Sequence, residues 1–251
     1  MPYYRQEFLM NQLGFTLPRE TMANWIIYVA ENYFYPIYER LHEELLKRDL
    51  VHADETTCQV LREKGRTAEQ TSYMWLYTTG SDALTPIVLY DYQPSRKGSC
   101  AQNFLEGFRG LVQCDGYQGY NKLGKAVNYA QNHHDTLMNY LLDGRCEISN
   151  NRAERKAKSY AIGRKAFLFH TSEIGAGASE VMYSIVETAK ANNLNIFQYL
   201  YTVLLYMPDY MNSSAGIEQL MPWSEFIKEQ CSGLIAVESN VPEKRNPLPH
   251  R

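Results

Sequence analysis

Three acidic residues stand where acids are not expected. Asp54 sits in LVHADETTCQVL (50–61), a stretch whose β-branched and apolar neighbours favour a strand, although Asp is a residue that strands disfavour. Asp115 ends GLVQCD (110–115), at the carboxyl edge of another strand-like run, where α/β architectures commonly hold functional groups. It is also followed by Gly116, so taken alone an ordinary Asp-Gly turn is the simpler account of it. Glu154 is the only acid in NNRAERKAKSYAIGRKAFLF (150–169), among Arg152, Arg155, Lys156, Lys158, Arg164 and Lys165. Ion pairs across one helical turn would explain it, at about 0.2–0.5 kcal/mol per pair. The other reading is a metal-binding carboxylate whose polyanionic substrate is held by the surrounding cations. Sites built from a few carboxylates suit Mg²⁺ or Mn²⁺, and two such ions can activate an attacking water or hydroxyl and stabilise a leaving oxygen in phosphoryl displacement.

The elements that must position these residues follow from periodicity. Glu20 to Ala30, after Pro18, repeats apolar residues at helical spacing with Met22, Trp25, Ile26 and Val29 on one face, and Tyr38, Leu41, Leu45 and Leu46 continue the pattern. The segments 50–61, 72–80 and 85–92 then read as three successive strands. A loop with two basic residues (94–98), a short helix over 100–108 and a fourth strand over 110–115 complete a mixed sheet with flanking helices. Val127, Ala130, His134, Leu137 and Leu141 predict a helix that stops near Asp143-Gly144. Asn150 and Asn151 are N-cap candidates for another helix running to about Tyr160. Segments 178–192 and 196–206 form a helical pair joined at Asn192-Asn193, and the last residues, with three prolines after Ser239, read as a loose tail.

Composition narrows the classes. With 251 residues, 45% apolar and 21% charged, the chain can bury one good core with a small appendage. No run approaches about 18 continuous apolar residues, and the first residues lack the basic start and apolar block of a secretory signal, so the expectation is a cytoplasmic protein with no membrane partner. The five cysteines are odd in number and scattered, which predicts reduced, mostly buried thiols. A formal charge of −3 does not announce nucleic-acid binding, so local charge must decide. Neighbouring His133 and His134 diverge by about 100° on a helix and make a poor chelate. The twenty tyrosines have no spacing that selects base stacking over half-buried packing.

Six landmarks in one order carry a resemblance: HADET (52–56), MWLY (74–77), PIVLYDYQPSR (86–96), CDGYQGYNKL (114–123), ISNNRAERKAKSYAIGRKAFLF (148–169) and YSIVETAKANNLNIFQYL (183–200). In these the chain resembles the insertion sequence 66 family of DDE transposases. The resemblance implies a ribonuclease-H-like core over 50–177, a helical lead-in over 1–49, a C-terminal helical transposase segment over 178–225 and a loose tail over 226–251. It implies cleavage at transposon ends and strand transfer into target DNA, supported by two Mg²⁺ or Mn²⁺ ions, in a cytoplasmic, nucleoid-associated protein that could be a homo-oligomer. Asp54, Asp115 and Glu154 fall on the family's acidic triad, as both catalytic and metal-holding residues. Arg152, Arg155, Lys156, Lys158, Arg164 and Lys165 become candidates for the DNA backbone, although a solvated basic helix face would look the same. Glu55, one residue beyond Asp54, should point to the opposite face of the strand.

The chain departs from the family where the triad needs support. Asp115 and Glu154 are 39 positions apart, and Asn121-Lys122-Leu123 runs almost directly into a helix near Gly124, where the family has a further strand. The fold expected is therefore a ribonuclease-H-like sheet lacking its fifth strand, and the activity weak or absent. Two rivals stand beside it: a non-catalytic remnant that binds DNA or a full-length transposase, and an unrelated hydrolase using paired carboxylates without metal.

Overall fold

The computed structural model describes residues 1–80, 82–114, 150–211 and 214–232. Asp115, the 121–124 seam, the helix expected around Val127–Leu141, His133, His134 and Cys146 lie outside the described residues.

Helices α1 (Tyr3–Gln12) and α2 (Arg19–Val29) lead by a π turn (Ala30–Phe34) into α3 (Tyr35–Leu45). Pro18 precedes α2, and Pro36 occupies the first turn of α3, where its missing N–H costs nothing. In α3, Tyr38, Leu41 and Leu45 are buried as their spacing predicts. The face expected on α2 is shifted: Met22 is buried and Val29 packs on the core, but Trp25 and Ile26 are exposed.

The meander follows as expected, with β1 (Leu50–Arg62), β2 (Thr71–Thr79) and β3 (Val88–Gln93) antiparallel. After α4 (Gly98–Phe104), β4 (Leu111–Gln113) lies parallel to β1, so the sheet order is β3-β2-β1-β4. The entry to β4 requires a glycine. A Cβ on Gly110 would stand 2.3 Å from the Asp49 carbonyl, and without it Leu111 donates to that oxygen at 2.7 Å.

Beyond the second gap come α5 (Asn151–Phe167), the three-residue strand β5 (His170–Ser172), α6 (Glu173–Ala191), α7 (Ile196–Tyr210), α8 (Ser214–Gln219) and α9 (Glu225–Cys231). Helix α5 runs seven residues past its expected end, and α6 starts five residues early, N-capped by Ser172, which accepts from Gly175 N. Asn193 takes a positive φ of 55° in the turn where the α6–α7 joint was expected. Helix α7 continues through Pro208 to Tyr210, and α9, which buries Ile227 and Cys231, lies where the tail was expected to begin. Strand β5 was not expected: it pairs parallel with the far end of β1, at Val60 and Arg62. Among the described residues no strand lies beyond β4.

The sheet divides two cores. On one face Val51, Ala53, Trp75, Tyr77 and Leu89 join α3, α4, α6, α7 and α9 in the larger cluster. On the other, Cys58, Met74, Leu76, Val88 and Tyr90 pack on Ala153, Ala157 and Tyr160 of α5. Cys58, Cys100 and Cys231 are buried free thiols, and burial pushes the Cys58 thiol up to about 12, so it is no nucleophile at neutral pH.

The outer edge of this meander, on β3, is finished by helix side chains. The outer edge of β3 would expose N–H groups that invite another strand. Instead Val88, Tyr90 and Tyr92 donate to Thr188 Oγ1 at 3.0 Å, Ser184 Oγ at 2.8 Å and Glu180 Oε2 at 2.9 Å. Acceptors four apart on a helix advance about 6 Å and donors two apart on a strand about 6.6 Å, so the two series stay in step.

Candidate functional site

The pleat of β1 separates its adjacent acids. Asp54 lies opposite Leu76 on β2, and Leu76 opposite Tyr90 on β3. That row belongs to the face covered by α5, where Cys58, Leu76 and Tyr90 are core. Asp54 is half-buried there, and its Oδ1 accepts from the Glu55 N–H at 2.8 Å. Glu55 shares the other face with Trp75 and Asp91, as the period-2 alternation predicts. Its side chain is 2% exposed and pairs with Arg96, from the basic loop after β3.

Helix α5 is held over the Asp54 row at three points. Asn150 Nδ2 donates to the Ala53 carbonyl at 2.9 Å. Tyr90 Oη donates to the Lys156 carbonyl at 2.7 Å. Arg164 donates to the Thr57 carbonyl and, at 2.8 Å, to Thr57 Oγ1. Asp49, Ala53 and Thr57 share the parity whose carbonyls turn to the edge of β1 away from β2. Asp49 meets β4 there, while Ala53 and Thr57, in the interval between β4 and β5, meet α5.

Glu154 lies in the first turn of α5 and is exposed. Its N–H donates to the Asn150 carbonyl at 3.1 Å, so the residue pinned beside Asp54 also begins the turn carrying Glu154. The strand of Asp54 and the helical turn of Glu154 are thus joined through Asn150. The third acid, Asp115, follows Cys114 outside the described residues, and the last described pair of β4 is Gln113 with His52. Among the described residues no group of three or more His, Cys, Asp and Glu side chains could hold a metal ion.

The six basic candidates divide by environment. Arg155, Lys158 and Lys165 are exposed, along the side of α5 that also carries Glu154 and opposite Ala153, Ala157 and Tyr160. Arg152 is half-buried. Lys156 is drawn to Glu187 of α6, 3.1 Å away, and Arg164 to Thr57. Those partners are 31 and 107 residues distant, so no local pattern revealed them. Asn150 was read only as a helix start; the Asn150-Asn151 pair was the signal, and its use on β1 needed the tertiary fold.

Comparison with known proteins decides the family. The Transposase IS66 family matches residues 1–125 and 121–178, and the IS66 C-terminal element matches 184–223.

The chain belongs to the IS66 transposase family.

Its curated relatives include two uncharacterized proteins of Sinorhizobium fredii (strain NBRC 101917 / NGR234). Protein y4qI is 22% identical, with 89% of this chain and 59% of that protein covered, and y4jD is 22% identical, with 89% and 63% covered. A third from the same strain, y4hP, is 33% identical over 34% of this chain and 15% of its own length. The chain therefore spans about three-fifths of the first two. No solved structure matches. The match to y4qI extends over 324 residues, more than the 251 of this IS66 family chain, so part of the matched region of the relative has no counterpart here. The two segments of the family match meet at 121–125, around the seam at Leu123-Gly124.

Proposed function

We propose that this chain is the catalytic core of an IS66 transposase, built to cut transposon ends and join them to target DNA, and that it is weak or inactive in its present form. The observation that supports the reading is that Asn150 is bonded to the strand beside Asp54 and opens the helical turn that carries Glu154. Asp115 completes the set by sequence arithmetic: it follows Gln113 by two residues, as Asp54 follows its partner His52. An antiparallel meander with a parallel fourth strand beside the first is compatible with a ribonuclease-H-like sheet.

Mg²⁺ or Mn²⁺, two ions when the site is assembled, would be held by Asp54, Asp115 and Glu154, and would supply activation of the attacking water or DNA 3′-hydroxyl and charge stabilisation at the leaving oxygen. The protein's own part is to hold three carboxylates at fixed separation; the fit is in the donor type, since hard carboxylate oxygens suit these ions. No side-chain nucleophile is required. Arg155, Lys158 and Lys165, exposed along the helix that bears Glu154, would contact phosphates, with Arg152 beside them. Lys156 and Arg164 are occupied in holding α5. The seam between Asp115 and Glu154 is the reason for weak activity, because catalysis needs carboxylates fixed to within about 0.5 Å.

The test is cleavage and strand transfer on transposon-end DNA with Mg²⁺ or Mn²⁺. Trace activity that disappears with chelator and in each of D54N, D115N and E154Q is the expected result. Activity that survives excess chelator supports the metal-free hydrolase instead. The second reading, a non-catalytic remnant that binds DNA or a full-length transposase, is favoured by the residues of the relative that have no counterpart here. It predicts no cleavage, with salt-sensitive DNA binding unchanged by those three substitutions and weakened when Arg155, Lys158 and Lys165 are made neutral.

A further inference from the structure

Asn150 occupies the N-cap position of α5, where an Asn side chain ordinarily accepts from its own helix. No such capping bond forms. The side chain turns outward to β1, donating through Nδ2 to Ala53 O, the carbonyl immediately before Asp54. The amide orientation is fixed by this contact, because the reverse would oppose two oxygens that can only accept. Oδ1 is consequently buried with no hydrogen-bond partner among the described residues, in a residue only 8% exposed. Forgoing the cap and leaving an acceptor buried and unmet both cost stability, and such a group calls for an explanation beyond folding.

The chain continues from this point into the turn that carries Glu154, whose N–H bonds back to Asn150 O. One residue therefore touches the strand of one triad acid through its side chain and the helix of another through its main chain. Tyr90 Oη holds the Lys156 carbonyl and Arg164 holds Thr57, but both attachments lie beyond Glu154, so Asn150 is the attachment on the N-terminal side of the first turn.

We infer that Asn150 is a positioning residue: its Nδ2 locks the Glu154 turn against the Asp54 strand, and its Oδ1 accepts from a water of the cation held by those carboxylates. The cation half rests on the transposase reading above; the locking half rests on the two hydrogen bonds alone. Outer partners of this kind typically alter metal affinity about 10- to 100-fold.

The test uses N150S in the full chain. Serine is a good N-cap but too short to reach Ala53, so it separates capping from locking; N150A, which can do neither, is the control. Three quantities are read: melting temperature, amide exchange over residues 151–158, and Mn²⁺ affinity by calorimetry. The expected result for N150S is a melting temperature above that of N150A, exchange in the first turn of α5 about tenfold faster than in the native chain, and Mn²⁺ affinity lowered about tenfold. Native exchange together with native Mn²⁺ affinity in N150S overturns the inference. Should the native chain bind no Mn²⁺, or bind it equally well as D54N, the metal reading fails by itself. The exchange data then decide the locking role, with faster exchange upholding it and unchanged exchange overturning it.

Discussion

Asp54 and Glu55 are neighbours in sequence and opposites in role. A strand turns successive side chains to opposite faces, which put Asp54 toward α5 and Glu55 toward Arg96. That separation was legible from the strand pattern alone; the partner of Glu55 was not, because Arg96 reaches it from a loop 41 residues away. E55Q is expected to lower stability by about 1–2 kcal/mol in urea unfolding, since Arg96 is partly exposed and can turn to solvent. Its Mn²⁺ affinity should stay native, whereas D54N should lose binding with little change in stability. Equal effects of both on metal would undo the division of faces. The basic residues carry a similar lesson. Helical spacing shows which cations can share a face, but the packing partners that claim Lys156 and Arg164 lie on distant elements.

At the scale of elements, the three-strand meander, α4, β4 and the pair α6–α7 were readable, because each has enough residues for its period to show. Strand β5, three residues long, offers no period, and the start of α6 was hidden by glycines at 175 and 177 that depress helix propensity. The polar residues Glu180, Ser184 and Thr188 look like the wet side of an amphipathic helix. The fold uses them as a row of acceptors along β3. S184A leaves the buried Tyr90 N–H without that acceptor and should cost about 1–3 kcal/mol in urea unfolding. A loss under about 0.5 kcal/mol, the usual bound for surface changes, would show that the row does not protect the edge.

Across the whole molecule, buried ionisable groups set the pH dependence of stability. Burial lowers His170, which bonds Tyr160 Oη at 2.7 Å, to about 4. Its folded value lies below the ordinary 6.5, so its contribution is present above pH 6.5 and is lost as pH falls toward about 4. Glu180 is raised to about 8, chiefly by burial, and Asp91 is raised as well, by burial and then by Glu180. A carboxyl raised in the fold stabilises fully below its ordinary value of 4.5, and that contribution is lost as pH rises toward about 8. E180Q keeps an acceptor for Tyr92 N–H and removes the titration. It should melt higher than the native chain at pH 8.5 and retain the acid limb below pH 6.5; a native-like fall in melting temperature between pH 6.5 and 8.5 would contradict this.

The family was legible because six landmarks keep their order, and the family match runs in two segments that meet at 121–125. What local sequence could not show is how the Asp54 strand and the Glu154 turn come to be joined, since that depends on a bond between residues 97 positions apart. The most direct measurement is a Mn²⁺ titration of the native chain beside D54N and E154Q, followed by calorimetry at one pH and salt concentration. The predicted result is saturable binding by the native chain that weakens at least about tenfold in each variant. Native affinity in both variants would contradict a cation site shared by Asp54 and Glu154.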